Sequence, residues 1–153
     1  MTRTTARRLA IQLSFAANAG SDIGPEDFFE EDYFRALPEE DALFSELPDD
    51  RQKEYIRTLV NGVREHQAEL DAIVEKYAQG WKLSRISRTA LAVLRCALYE
   101  ILYMPDIPPA ASINEAVELA KGFDEPETVS FINGILGSFM RARDGENSPA
   151  VPD

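Results

Sequence analysis

The sequence predicts an all-α fold, a compact bundle of about seven helices. Apolar residues recur with helical spacing along most of the chain, and no stretch alternates like a β-strand over a useful length. The clearest segment is residues 90–104, where thirteen of fifteen positions are apolar and only Arg95 and Glu100 are charged. Because a helix that is apolar on every side is buried on every side, we expect Ala90 to Met104 to form the central helix.

The first two helices have recognisable boundaries. The spacing predicts a first helix from about Thr5 to Asn18, which ends before Gly20. Pro25 favours the first position of a short second helix, since proline lacks the backbone N–H that this position leaves unbonded. We expect residues 38–50 to form a loop or an irregular connection.

The third helical segment starts at an aspartate and ends at a glycine. Asp49 or Asp50 caps its first turn, because a carboxylate oxygen there accepts a hydrogen bond from a backbone N–H. Apolar residues then continue with helical spacing as far as Gly80. The pattern leaves open whether this segment is one helix or two helices that break near His66.

Two more helices follow the central helix, which ends at Pro105. Ser112 and Glu115 have the spacing of a capping box, in which the serine oxygen accepts a hydrogen bond from a backbone N–H and the glutamate reaches back. This predicts a helix that begins at Ser112. Pro126 then starts the last helix.

The chain length and the few reactive side chains limit the class of protein. We expect one domain over residues 1–143, with an acidic helix and loop segment at residues 20–50, and a disordered tail over residues 144–153. One cysteine, Cys96, excludes an internal disulfide, and with one histidine, His66, it is too little for a metal site. No phosphate-binding glycine loop, nucleophile elbow, membrane-length apolar run or signal-peptide block occurs. We therefore expect a reduced, cytoplasmic protein that is not an enzyme and has no metal or cofactor.

The negative charge lies mainly in one segment. The chain carries a net charge of −11, and residues 20–50 alone hold twelve acidic groups against one basic group. Residues 1–19 hold three arginines and no acid, and residues 76–99 hold five basic residues and no acid. An acidic total normally argues against nucleic-acid binding. Because the acidic groups are segregated, this objection loses much of its force for the basic N-terminal segment.

The first helix combines arginines with an aromatic ring. Arg8, Ile11 and Phe15 lie opposite its main apolar stripe, and Arg3 and Arg7 flank them. This combination suits single-stranded RNA, since guanidinium groups bind phosphates and aromatic rings stack on bases. The alternative is a helix packed on both faces, with Arg7 and Arg8 merely solvated.

The last helix carries a second aromatic candidate. Phe131 falls about 100° from the centre of the inward stripe, which makes it a candidate stacking platform for an unpaired base. The alternative is that Phe131 packs against a neighbouring helix.

The two charged residues of the central helix need partners. Arg95 and Glu100 are poorly spaced to bond to each other on one helix. Because an unpaired buried charge is costly, we expect each to be bonded to another helix or a helix end. Cys96, between them, is most simply a small core residue.

Two segments of the chain resemble the NusB family of transcription antitermination factors. They are WKLSRISRTALAVLRCALYEI, Trp81 to Ile101, and INEAVELAKGFDEPETVSFINGIL, Ile113 to Leu136. The resemblance implies a small helical RNA-binding protein. With the ribosomal protein NusE it would bind boxA-type single-stranded RNA in nascent ribosomal RNA and support processive transcription within the RNA polymerase antitermination complex. The alternative is a helical protein–protein adaptor on the same fold with little RNA affinity of its own.

The resemblance also implies which residues make these contacts. RNA contacts carried over from the family fall on Arg3, Arg7, Gln12, Phe15, Glu127 and Phe131. Arg8 lies in the same segment without a family match, and Arg95 lies near that surface in the family. The face that docks NusE corresponds to Tyr77, Lys82, Arg85 and Arg88.

Overall fold

The computed structural model describes residues 2–18, 24–29, 48–78, 82–122 and 125–147. In these residues all regular secondary structure is helical, which confirms the predicted all-α fold and comes close to the predicted helix count. The α-helices are α1 (Arg3–Asn18), α2 (Pro25–Phe28), α3 (Asp50–Glu65), α4 (Gln67–Tyr77), α5 (Arg88–Tyr103), α6 (Pro109–Lys121) and α7 (Pro126–Asn147). A short 3-10 helix, Leu83–Arg85, precedes α5.

Helix α5 is the centre of the bundle, as its all-round apolar sequence predicted. It packs against α1, α3, α4, α6 and α7. Leu94 and Leu98 are fully buried, and Ile101 is 4% exposed. The helix starts at Ser87, whose hydroxyl accepts a hydrogen bond from the Ala90 N–H, and it ends just before Pro105.

The α3–α4 segment is two helices with a break at His66. Asp49 and Gln52 form a capping box at the start of α3. The side-chain oxygen of each residue accepts a hydrogen bond from the backbone N–H of the other. Close packing of α3 against α5 depends on Gly62. A Cβ placed there would lie 2.1 Å from the Tyr99 ring, so only glycine fits without displacing that ring.

The predicted start of α6 at Ser112 is wrong. The helix already begins at Pro109, whose fixed φ suits the first helical position, so Ser112 lies inside the first turns. Its hydroxyl is 3.4 Å from Glu100 Oε1 and donates to that carboxylate instead of capping a helix. No side chain caps α6.

The start of α1 and the end of α7 also differ from the expectation. Helix α1 begins at Arg3, because the Thr2 hydroxyl accepts a hydrogen bond from the Thr5 N–H. Helix α7 continues to Asn147, past the expected domain end at residue 143. Most of the acidic segment and residues 148–153 of the expected tail lie outside the described residues. No helix in the described ranges is both long enough and apolar enough to cross a membrane.

Candidate nucleic-acid interface

Arg7 forms a buried ion pair with Glu100, which joins α1 to α5. The Arg7 side chain is 4% exposed, and its Nη2 lies 2.7 Å from Glu100 Oε1. Its Nε donates to both Glu100 oxygens, at 3.1 Å and 2.9 Å, and its Nη1 lies 3.7 Å from Glu115 Oε2. Burial opposes the charge of Arg7, but the hydrogen bond to Glu100 and the nearby carboxylates hold its pKa above the ordinary value. Arg7 is therefore not merely solvated, as one alternative had it, and its Nε and Nη2 are bonded inside the protein, while the phosphate contact at Arg7 stays a prediction.

Glu100 connects four helices. Besides Arg7 of α1, the Tyr55 hydroxyl of α3 donates to it at 3.3 Å and the Ser112 hydroxyl of α6 at 3.4 Å. Burial and the Glu100 carboxylate raise the pKa of Tyr55, so its phenol stays protonated and continues to donate. This confirms the expectation that Glu100 is bonded to groups on other helices.

Arg95 has the equivalent role on the other side of α5. Its Nε lies 2.7 Å from Asp71 Oδ1 and its Nη2 lies 2.9 Å from Asp71 Oδ2, which is a bidentate pair with α4. The expectation of a partner on another helix is confirmed. Because the Arg95 side chain is only 5% exposed, it has little surface to offer an RNA phosphate.

The outward face of α1 carries Arg8, Gln12 and Phe15. These residues are spaced so that they share one face of the helix. Gln12 is exposed, whereas Arg8 and Phe15 are half-buried, and the Phe15 ring also packs partly against the core. Ile11, predicted to lie with them, is buried at 6% exposure. Helix α1 is therefore packed on two sides, and a narrower face remains open than the sequence suggested.

The same face of α1 lies beside the end of α6. A Cβ on Gly122, the residue after α6, would lie 3.8 Å from Arg8 Nη2. The chain then enters α7 at Pro126, and Glu127 in its first turn is exposed. Arg3, near the start of α1, is exposed, and its guanidinium carbon lies 5.6 Å from the centre of the Tyr55 ring. The structure thus places the outward face of α1 next to the C-terminal end of α6.

Phe131 lies both against the core and in an open groove. Its side chain is half-buried and packs on the core, as the packing alternative expected, and its role as a stacking platform stays a prediction. The groove has a volume of about 370 Å³. Its lining residues are Tyr77, Ala78, Phe131, Gly134, Ile135, Ser138 and Arg141.

The groove joins two predicted sites. Tyr77, predicted to bind the protein partner, and Phe131, predicted to bind RNA, line the same cavity. The Tyr77 ring packs edge-on against Phe139, with 6.1 Å between ring centres. Sequence reasoning missed Gly134 and Arg141, because only the packing of α4 beside α7 brings them into one site.

The remaining predicted partner residues form a cationic edge. Lys82, Arg85 and Arg88 are all exposed, around the 3-10 helix and the first turn of α5. That first turn contains no acidic residue. A cation at the positive end of a helix is electrostatically unfavourable, so Arg88 does not stabilise α5 at this position.

These features define the class of protein: an all-helical bundle with exposed cations and half-buried rings along adjoining helices. Residues 4–141 match the model of the NusB family. The transcription antitermination protein NusB of Levilactobacillus brevis is 42% identical over 137 residues, which cover 89% of this chain and 90% of the relative. The chain therefore belongs to the NusB family, a family of transcription antitermination proteins.

Solved structures of the family have the same fold. T. maritima NusB superposes with a TM-score of 0.73 at 27% identity, covering 92% of both chains. A chain in the crystal structure of antitermination factors NusB and NusE in complex with dsRNA gives a TM-score of 0.68 at 23% identity. That match covers 92% of this chain and 96% of the other, and at this identity it supports the fold alone.

Proposed function

We propose that this protein is an RNA-binding transcription antitermination factor. With the ribosomal protein NusE it binds boxA-type single-stranded RNA in nascent ribosomal RNA transcripts, and it supports processive transcription in the cytoplasm as part of the RNA polymerase antitermination complex. It acts by binding and not by catalysis. The observation that carries this proposal is the position of Arg8, whose guanidinium lies 3.8 Å from a Cβ built on Gly122 and so sets the open face of α1 beside the C-terminal end of α6.

The proposed RNA surface is smaller than the family resemblance alone implied. It consists of the exposed or half-buried residues Arg3, Arg8, Gln12, Phe15, Glu127 and Phe131. Arg3 and Arg8 supply cations for phosphates, Gln12 and Glu127 supply polar contacts, and the two phenylalanines supply rings for unpaired bases. Arg7 and Arg95 hold α1 and α4 on the central helix and do not contact RNA in this proposal.

The proposed face for NusE is the cationic edge with Tyr77. Lys82, Arg85 and Arg88 are exposed, and Arg88 stands where a cation does not help its own helix. Exposed cations at such a position suit an acidic or carbonyl-rich partner surface, where they speed association and set orientation.

The second candidate function is a protein adaptor with little RNA affinity. The burial of Arg7 favours it, because one expected phosphate contact is lost from a chain with a net charge of −11. Gel-shift titrations with boxA-type RNA, with and without NusE, across a salt series separate the two functions. The proposed function predicts binding whose logarithmic affinity falls with salt by about 0.7 per phosphate contact. An adaptor would bind NusE but show no RNA affinity of its own and add none to the complex at any salt concentration.

A further inference from the structure

Gly134 is a glycine that the fold of this chain does not require. It lies in the interior of α7, where glycine is less favourable than alanine because it loses more backbone freedom. A Cβ on Gly134 would meet no atom within 4 Å among the described residues. Gly62 is different, since there the Tyr99 ring occupies the space of a side chain. The missing side chain at position 134 therefore keeps open a space that the described part of the protein leaves unfilled.

That space opens into the groove of about 370 Å³ between α4 and α7, which Gly134 lines. The half-buried rings of Tyr77 and Phe131 line it on either helix. Ala78 and Ser138 add only small side chains. A site lined by aromatic rings and a glycine admits a flat ring close to the helix backbone.

One cation lines this groove, and another lies beside one of its rings. Arg141 is exposed and lines it, and its Nη2 donates to Ser138 Oγ at 3.1 Å. The exposed Lys76 places its Nζ 5.4 Å from the centre of the Tyr77 ring. A nucleotide matches this arrangement, because its base is flat and its phosphates are anionic. An apolar protein side chain would use the rings but not the cations.

We infer that the groove holds one unstacked nucleotide of the bound RNA, with the base over Gly134 between Tyr77 and Phe131 and an adjacent phosphate at Arg141. This inference rests on the proposed function and extends the RNA path along α7. Phe131 lies one helical turn after Glu127, so these two residues of the proposed RNA surface share one face of α7, and Phe131 also lines the groove. Tyr77 then lies where the RNA site borders the proposed face for NusE, and its ring serves the RNA site.

The test fills the groove without disturbing the fold. Leucine at position 134 enters open space, and Gly145→Leu is a matched control in the same helix, since a Cβ at Gly145 also meets nothing within 4 Å among the described residues. Both variants are titrated, with NusE present, against a boxA-type RNA and a series of the same RNA with one abasic nucleotide at each position. Thermal melts check that both variants are folded.

The expected result is a coupled loss. Gly134→Leu weakens binding of the intact RNA about tenfold, the usual scale for one stacked base. Removing the base at one position of the RNA weakens RNA binding by wild type and by Gly145→Leu to the same degree. The same change has no further effect on RNA binding by Gly134→Leu. Arg141→Gln lowers the salt slope by about 0.7, as expected for one lost phosphate contact.

Three outcomes overturn the inference. If Gly134→Leu binds the intact RNA with the same affinity as wild type, no nucleotide enters the groove. If Gly134→Leu no longer binds NusE, while its RNA affinity measured without NusE is unchanged, a segment of the partner protein fills the groove. If wild type binds no RNA under any condition, the proposed function fails, and the inference falls with it.

Discussion

Arg7 and Glu100 lie 93 residues apart in sequence and form a bidentate ion pair between α1 and α5, with a shortest distance of 2.7 Å. The two side chains are 4% and 1% exposed. Since Tyr55 and Ser112 also donate to Glu100, the carboxylate is the point at which α1, α3, α5 and α6 are held together.

Removing Arg7 should destabilise the protein. Arg7→Ala leaves the Glu100 carboxylate buried without its cation, so we expect a loss of about 3–5 kcal/mol in the free energy of unfolding. Arg8→Ala, at the neighbouring half-buried position, is the control and should change stability much less. Denaturant unfolding of both variants measures the difference. Equal stability of Arg7→Ala and wild type would contradict a structural role for this pair, and a selective loss of RNA binding in that case would restore Arg7 to the RNA surface.

Phe131 should contribute to RNA binding more than to folding. Phe131→Ala removes one stacking ring, so RNA affinity should fall by about 1–3 kcal/mol in gel-shift titrations with NusE present. A smaller loss of stability is expected as well, because the ring is half-buried on the core. Phe139→Ala is the comparison, since Phe139 is 8% exposed and its loss should act mainly on stability. Normal RNA affinity together with a much lower melting temperature in Phe131→Ala would make this ring a core residue only.

Reversing the charge of Arg88 should separate partner binding from stability. Arg88→Glu places an anion at the positive end of α5, so stability should rise by about 0.3–1 kcal/mol. Binding of NusE should weaken, because the cationic edge loses one of its exposed charges. Isothermal titration and a thermal melt measure the two effects. Arg64→Glu, an exposed change at the C-terminal end of α3, controls for net charge, and unchanged NusE affinity in Arg88→Glu would exclude Arg88 from the interface.

Cys96 should stay unreactive until the protein unfolds. Burial, and then the Glu100 carboxylate, raise the pKa of its thiol to about 12, so the nucleophilic thiolate is scarce near neutral pH. The pKa is higher in the folded state, so the neutral thiol adds stability that is complete below about pH 8.5 and is lost as the pH rises towards 12. Alkylation at pH 8 should therefore follow global unfolding. Above about pH 9, wild type should lose stability faster than Cys96→Ala. Rapid labelling of the native protein would contradict this burial.

Much of the fold follows from local patterns in the sequence. The apolar run at residues 90–104 can be satisfied only by burial on all sides, and Asp49 with Gln52 caps α3 through atoms close in sequence. The capping pattern at Ser112 predicted the wrong start for α6, because Pro109 also favours a helix start. Helix α6 begins at Pro109, and the Ser112 hydroxyl donates a hydrogen bond to Glu100, which lies on another helix but is adjacent in space.

The sequence by itself determined that this chain is a helical bundle of the NusB family and that Arg95 and Glu100 must have partners on other helices. It did not determine which of the adjacent arginines, Arg7 or Arg8, faces outward, because apolar residues lie on both sides of α1 and helical spacing alone admits either assignment. The tertiary structure decided this, since Glu100 reaches α1 at Arg7 and a buried carboxylate requires a buried cation. Arg8 remains at the surface beside α6, where a phosphate can reach it.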